Sequence, residues 1–303
     1  MELIRPGTKF DFIGKKKITV WLSAIAILVS LGSIFLHHGL RYGVDFAGGI
    51  LLQIRFSQTV DISEVRNAME AMGSKDAMVQ KFGGENEFLI RIEKGGDDLE
   101  KVSKEIQTSL QQRFQGKNLE IRRVEVVGPK VGKDLKTKAL WAVSLSFIAI
   151  LIYVAWRFKQ ISFGLGGIAA LVHDIIITYG AISIFDLEYS LPLMAVILTI
   201  IGFSINDTIV IFDRVREDVK KYRKENLETV FNAAINETLG RTILTSGTVM
   251  MVVLILFFFG GPVIHDFALT LIVGLISGTY STIYVASPVV LFWDKQFSRK
   301  KRR

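Results

Sequence analysis

Residues 18–36 read Ile-Thr-Val-Trp-Leu-Ser-Ala-Ile-Ala-Ile-Leu-Val-Ser-Leu-Gly-Ser-Ile-Phe-Leu, nineteen positions without a charge, directly after Lys15-Lys16-Lys17. A hydrocarbon core of about 30 Å needs roughly 20 apolar residues in a helix, so this stretch is long enough to cross a bilayer. It is longer than the core of a secretory signal, and no small-x-small cleavage site follows, so it is expected to be retained. Five more stretches have the same character: Ala139–Trp156, Ile161–Phe185, Tyr189–Phe212, Thr242–Gly260 and Phe267–Trp293. The expected fold class is therefore a polytopic α-helical membrane protein with six transmembrane helices.

Composition agrees. Half of the 303 residues are hydrophobic, yet 22% are charged, which calls for separate apolar and charged territories. The net charge of +8 sits mostly beside the apolar stretches rather than in a basic, aromatic-interleaved patch, which argues against nucleic acid as a partner. The chain has no cysteine and four histidines (His37, His38, His173, His265), none at H-x-x-x-H spacing. Disulfide and thiolate chemistry are excluded, and neither a metal site nor a cofactor is expected.

Basic residues orient the spans. Arg5, Lys9 and Lys15–Lys17 precede the first, Arg157 and Lys159 lie between the second and third, seven occur from Arg214 to Arg241, and Arg299–Arg303 ends the chain. The alternate short loops, Asp186–Ser190 and Gly261–Asp266, have none. By the positive-inside rule both termini are expected in the cytoplasm. The expected division is then a cytoplasmic amino terminus and first helix (1–37), an exported domain (38–138), and spans two to six (139–303) with a cytoplasmic loop at 213–241 and a basic tail.

Within 38–138, strand and helix signals alternate. Ile50–Phe56 reads as a strand after Gly48-Gly49. Asp61–Met72 reads as a helix with Asp61 as N-cap and Val65, Ala68, Met69 and Met72 on one face. Met78–Phe82 and Phe88–Ile92 flank Gly83-Gly84 as a hairpin. Asp97–Phe114 carries the stripe Leu99, Val102, Ile106, Leu110, and Leu119–Val127 closes as a strand. The order βαββαβ is the α+β ferredoxin-like plan. No catalytic dyad, phosphate loop or metal cluster is visible in it, so the expectation is a binding or mechanical module and not an enzyme.

Ionisable groups inside spans are costly and need a reason. Asp174 lies thirteen residues into the third span and Asp207 five before Phe212, while Arg241 opens the fifth span. Gly167, Ala170, Asp174, Thr178 and Ala181 form one small and polar stripe. Ser204, Asp207, Thr208 and Ile211 form a second, beside Asn206, and Arg241, Thr245 and Thr248 a third. Gly274, Gly278 and Ser281 give the sixth span a close-packing face. Converging stripes of this kind suggest a hydrated path. Taken singly each has a plainer explanation: Arg241 as a snorkelling anchor, Asp207 as a structural carboxylate, Asp174 as the partner of His173, and the small-residue stripes as packing.

Several motifs together carry a resemblance. They are Tyr42-Gly43-Val44-Asp45-Phe46-Ala47-Gly48-Gly49, Val127-Gly128-Pro129 with Gly132, His173-Asp174, Ser204-Ile205-Asn206-Asp207-Thr208 running to Arg214, Thr238-Leu239-Gly240-Arg241-Thr242, and Gly278 to Tyr284. The chain resembles the SecF branch of the SecD/SecF family, within the resistance–nodulation–division superfamily, over essentially its whole length. The resemblance implies a bacterial inner-membrane subunit that pairs with SecD, associates with the SecYEG channel and YajC, and uses the proton-motive force to promote translocation of a polypeptide. It implies roles for Asp207 and Arg241 in the proton step, a path on which the converging stripes also place Asp174, and it makes Asp45, Phe46, Gly48 and Gly49 a family motif. The competing expectations are a small-molecule or lipid transporter subunit of the same architecture and a scaffold subunit that moves nothing.

Overall fold

The computed structural model describes residues 10–84, 86–93, 98–158, 160–222 and 224–301. Arg5, Lys9, Asp97, Lys159, Arg302 and Arg303, used above, lie outside them. Two compact units divide the chain: Arg41–Ala142 with Glu188–Leu191, and the remainder.

The first unit opens with a helical turn, α2 (Val44–Ala47), and continues β1 (Gly49–Phe56), α3 (Ile62–Ala71), β2 (Met78–Lys81), β3 (Glu87–Ile92), α4 (Leu99–Arg113), β4 (Leu119–Val127). The sheet order is β2-β3-β1-β4 and every neighbouring pair is antiparallel. This is the ferredoxin-like arrangement. It follows from period-two burial on β1: Ile50, Leu52, Ile54 and Phe56 point at Val65, Ala68 and Met69 of α3 and Leu99, Ile106 and Leu110 of α4. β4 is an edge strand with alternating exposure, and the pairing slips by one residue beside Gln53, a bulge that bends the edge. Asp61 caps α3 by accepting from the Ser63 amide at 2.8 Å. The Ser63 hydroxyl and amide hold its carboxyl below the usual carboxylate range, so the stability it adds is present above the ordinary carboxylate pKa and is lost as pH falls.

In the second unit α1 (Lys16–Leu36) is followed by α5 (Pro129–Phe158, begun in the first unit), α6 (Ile161–Ile184), α7 (Leu191–Lys221), α8 (Leu227–Phe259), α9 (Gly261–Ser281), a π turn (Thr282–Ala286) and α10 (Ser287–Lys301). Six helices among the described residues, counting α9 to α10 as one, are long and apolar enough to cross a membrane. Boundaries differ from expectation by six residues or more in four spans: the sixth is helical from Gly261, so Gly261–Asp266 is not a loop, and its last helix runs on to Lys301. The α5 helix begins at Pro129, ten residues before its apolar stretch; α7 runs on to Lys221; and α8 begins at Leu227. The stretch 213–241 is therefore mostly a helical hairpin rather than a loop. Asn226 caps α8 by accepting from the Thr229 amide at 2.7 Å, and Arg214 of α7 pairs with Glu237 of α8. The π turn is explained by Pro288, which has no amide to give and cannot continue regular pairing behind it.

α1 packs against α6 with its hydroxyl face. Thr19, Ser23 and Ser30 are buried, Ser33 bonds Ser183 at 2.9 Å, and Trp21, Leu28 and Phe35 point outward. Helices in lipid associate through close packing and hydrogen bonds rather than apolar burial. Ser30 lies against Gly180, where a β-carbon would collide with it.

The glycine pair at the head of β1 has a specific backbone demand. Gly49 has φ +122°, and a β-carbon there would strike the Ile92 carbonyl oxygen. Gly73 also has positive φ (+77°) but faces open space. Gly49→Ala is expected to destabilise the sheet unit by at least about 2 kcal/mol, strain and collision adding, with Gly73→Ala costing distinctly less. Limited proteolysis of the full chain against denaturant checks both, and equal resistance would count against the geometry.

Candidate functional site

The interior of the helical unit is organised around Asp174. It is 1% exposed and sits midway along α6, where a carboxylate without partners would cost several kcal/mol. Four donors converge on it. Ser204 of α7 donates to Oδ2 at 2.6 Å and Ser281 of α9 to Oδ2 at 2.7 Å. Ser277 of α9 donates to Oδ1 at 2.6 Å, and His173 Nδ1 lies 3.0 Å from Oδ1. Each oxygen thus has two partners, the full acceptor set of a carboxylate. All five residues of the third-span stripe, Gly167, Ala170, Asp174, Thr178 and Ala181, are buried.

The network continues in two directions. The His173 ring stacks on Tyr280, centroids 5.9 Å apart. Tyr280 donates to the Thr19 carbonyl at 2.7 Å and meets the Ser23 hydroxyl at 3.0 Å, which ties α9 to α1. On the other side Thr208 of α7 meets Thr282 of the π turn at 3.2 Å. His173 Nε2 is buried without a partner.

Asp207, nearly one turn beyond Ser204, is treated differently. It is 2% exposed, its Oδ2 has no hydrogen-bond partner, and Oδ1 has a long contact of 3.5 Å from Asn206. Asn206 itself is exposed. Arg241 of α8 is exposed; among the described residues it forms no ion pair, and its charge reaches Asp207 through space, while Ser246 of the same helix lies beside the Asp207 carboxyl. The expected stripe Arg241, Thr245, Thr248 does not face inward. Arg241 and Thr248 are exposed, and Thr245 bonds carbonyls of its own helix. The inward face is one position over: Thr238 and Thr242 are buried, and Ser246 bonds Thr279 of α9 at 3.1 Å.

The small residues of α9 face α7. A β-carbon at Gly278 would lie 3.2 Å from Ser204 Cβ, and one at Gly274 would collide with the Ile200 side chain. Ser277 and Ser281 on the same helix reach the carboxylate of α6, against which α9 also packs. Ser277, Tyr280 and the hydroxyls of α1 were not among the candidates read from the sequence. The signal was present as serine and threonine at 19, 23, 30 and 33, spaced to share one helix face.

The glycine motif of the sheet unit also resolves into contacts. Asp45 Oδ2 accepts from the Leu191 amide at 2.9 Å, capping the first turn of α7. Phe46 stacks on Tyr189, centroids 5.5 Å apart, and Gly43 N donates to the Tyr189 carbonyl at 2.9 Å. A β-carbon at Gly132 would lie 3.1 Å from the Phe46 carbonyl oxygen, and one at Gly48 would lie 3.0 Å from Pro129 Cα. The Asp-Phe-Ala-Gly-Gly and Val-Gly-Pro-x-x-Gly motifs are therefore two sides of one backbone junction.

Comparison with known proteins agrees with this architecture. Residues 106–296 match the model for the SecD/SecF protein export membrane protein C-terminal region, and residues 33–60 match the SecD/SecF GG motif. The chain belongs to the SecD/SecF family of protein-export membrane proteins. The protein translocase subunit SecF of Magnetococcus marinus is 44% identical over 99% of this chain and 97% of its own length. That of Thermodesulfovibrio yellowstonii is 44% identical over 95% of this chain and 96% of its own. The crystal structure of SecDF, a translocon-associated membrane protein from Thermus thermophilus, superposes with a TM-score of 0.85 at 35% identity over 95% of this chain. This chain spans 39% of that one. A SecDF structure in a super-membrane-facing form gives a TM-score of 0.71 at 35% identity, covering 100% of this chain and 41% of that one.

Because each serine gives a charge-assisted bond to a buried carboxylate, Ser281→Ala is expected to cost about 2 kcal/mol of stability. Asp174→Asn, which turns one acceptor oxygen into a donor facing hydroxyls, costs more. Thermal unfolding in mild detergent checks this, and an unshifted midpoint for both would contradict the arrangement.

Proposed function

We propose that this chain is the SecF-type subunit of a SecDF-type protein translocation complex, pairs with SecD, and couples proton passage to movement of an exported polypeptide at the SecYEG channel, with YajC as a further associate. Support for the first part is the near-full-length similarity to proteins named SecF. Support for SecD is that a structure named SecDF contains a match to this chain and more than half its length besides. Both termini then lie in the cytoplasm of a bacterium, and residues 38–138 lie outside the inner membrane. Protease added to spheroplasts is expected to cut within 38–138 and to spare the tail; the reverse pattern would overturn the orientation.

The observation that carries the proton reading is Asp207. It is a buried acid with one oxygen unpartnered, facing a helix that carries Arg241. Such a group can gain and lose a proton without dismantling a hydrogen-bond network. Asp174 differs, because each of its oxygens already has two hydrogen-bond partners. We assign Asp207 and Arg241 to the proton step and make Asp174 the hydrogen-bonded centre that ties α7 and α9 to α6. Movement of the guanidinium toward or away from Asp207 would alternate proton uptake and release. One proton crossing 100 mV delivers about 2.3 kcal/mol, enough to bias a two-state motion but not to rearrange a fold. Asp45, Phe46, Gly48 and Gly49 form the joint through which that motion would reach the sheet domain.

Asp207→Asn keeps the shape and cannot titrate. It is expected to abolish proton-gradient-dependent export while leaving folding and SecD recovery intact. Arg241→Lys is expected to impair it, since lysine lacks the planar fork. Full export by Asp207→Asn at normal expression would leave a family member that is not a proton carrier, which is what a scaffold subunit predicts.

A further inference from the structure

A groove of about 360 Å³ opens between α1, the start of α8 and α10. Its composition divides sharply along its length. One end is lined by Lys16, Lys17 and Lys295, the other by Val20, Trp21, Leu291 and Phe292. Trp21 and Phe292 are 72% and 67% exposed and flank the opening. Among the described residues the lining has one carboxylate, Glu228, which is tied to Lys16 at 2.5 Å. Three ammonium groups against one carboxylate leave the mouth two charges positive, directly above an apolar wall open to the side.

We propose that this groove is a binding site for an anionic phospholipid, with the phosphate between Lys17 and Lys295 and an acyl chain along Trp21, Leu291 and Phe292. The chemistry selects this occupant. A free phosphate would leave the apolar wall unused, and an acidic peptide would have to lay its backbone on a surface offering almost no hydrogen-bonding groups. A zwitterionic lipid would bring a second cation to a mouth already short of anions. Lysine is suited to the position, since it meets phosphate as a point charge on a stem that lies along apolar surface, and tryptophan suits the level where acyl chain gives way to headgroup. The lipid would brace α1 against α10, next to the π turn whose Thr282 meets Thr208. The proposal does not depend on the proton reading.

The test is native mass spectrometry of the full chain in mild detergent, titrated with phosphatidylglycerol, with phosphatidylcholine of the same acyl chains, and with inorganic phosphate. Phosphatidylglycerol is expected to be retained in preference to both. Lys17→Ala and Lys295→Ala are each expected to weaken it about fivefold, as for one basic group at an anionic surface. Glu228→Gln, which frees Lys16, is expected to strengthen binding, a gain that misfolding cannot mimic. Equal retention of the two lipids, phosphate binding as tight as the lipid, or no gain in Glu228→Gln would overturn the proposal.

Discussion

A carboxylate in the middle of a membrane bundle must be given donors, and much of the helical unit is arranged to give them to Asp174. The donors come from α7 and α9 as well as from its own helix, so satisfying one charge fixes three helices relative to one another. Hydroxyls are suited to this because they add no charge and little bulk, and Gly274 and Gly278 remove the side chains that would hold α9 off α7. A carboxylate with both oxygens fully hydrogen-bonded specifies one arrangement, because every alternative strands one of its acceptors. Tyr280 extends the constraint to α1, whose outer face is left entirely to lipid.

Against that rigid centre, Asp207 stands out by what it lacks. The same helix presents Ser204 to a saturated site and Asp207 to an unsaturated one. Two buried aspartates in one bundle thereby have different hydrogen-bond surroundings. Along α7 Ser204 and Asp207 are followed by Arg214, which pairs with Glu237 of α8.

The spans were legible because hydropathy over nineteen or more residues is a strong signal, and the sheet was legible because period-two and period-3.6 patterns alternate cleanly from Ile50 to Val127. Helix ends were not. Hydropathy measures the apolar segment, and the charged turns of α5, α7 and α8 beyond it are helical for local reasons, such as the Asn226 cap and the Arg214–Glu237 pair. The face of α8 was misread by one position, about a quarter turn, because Arg241 drew the stripe toward itself although its long side chain reaches outward. Asp174 and Asp207 were identifiable as buried acids from sequence. Their different surroundings were not, since the donors to Asp174 come from positions about thirty and over a hundred residues away.

The division of labour between the two acids can be measured directly. Infrared difference spectra of the full chain in bilayers, with aspartate carboxyl groups carbon-13 labelled, report which carboxyl gains a proton as pH is lowered. The account predicts a pH-dependent carboxylic acid band that disappears in Asp207→Asn and persists in Ser281→Ala and Asp174→Asn. A band that persists in Asp207→Asn and is lost in Asp174→Asn would make Asp174 the carrier and contradict it.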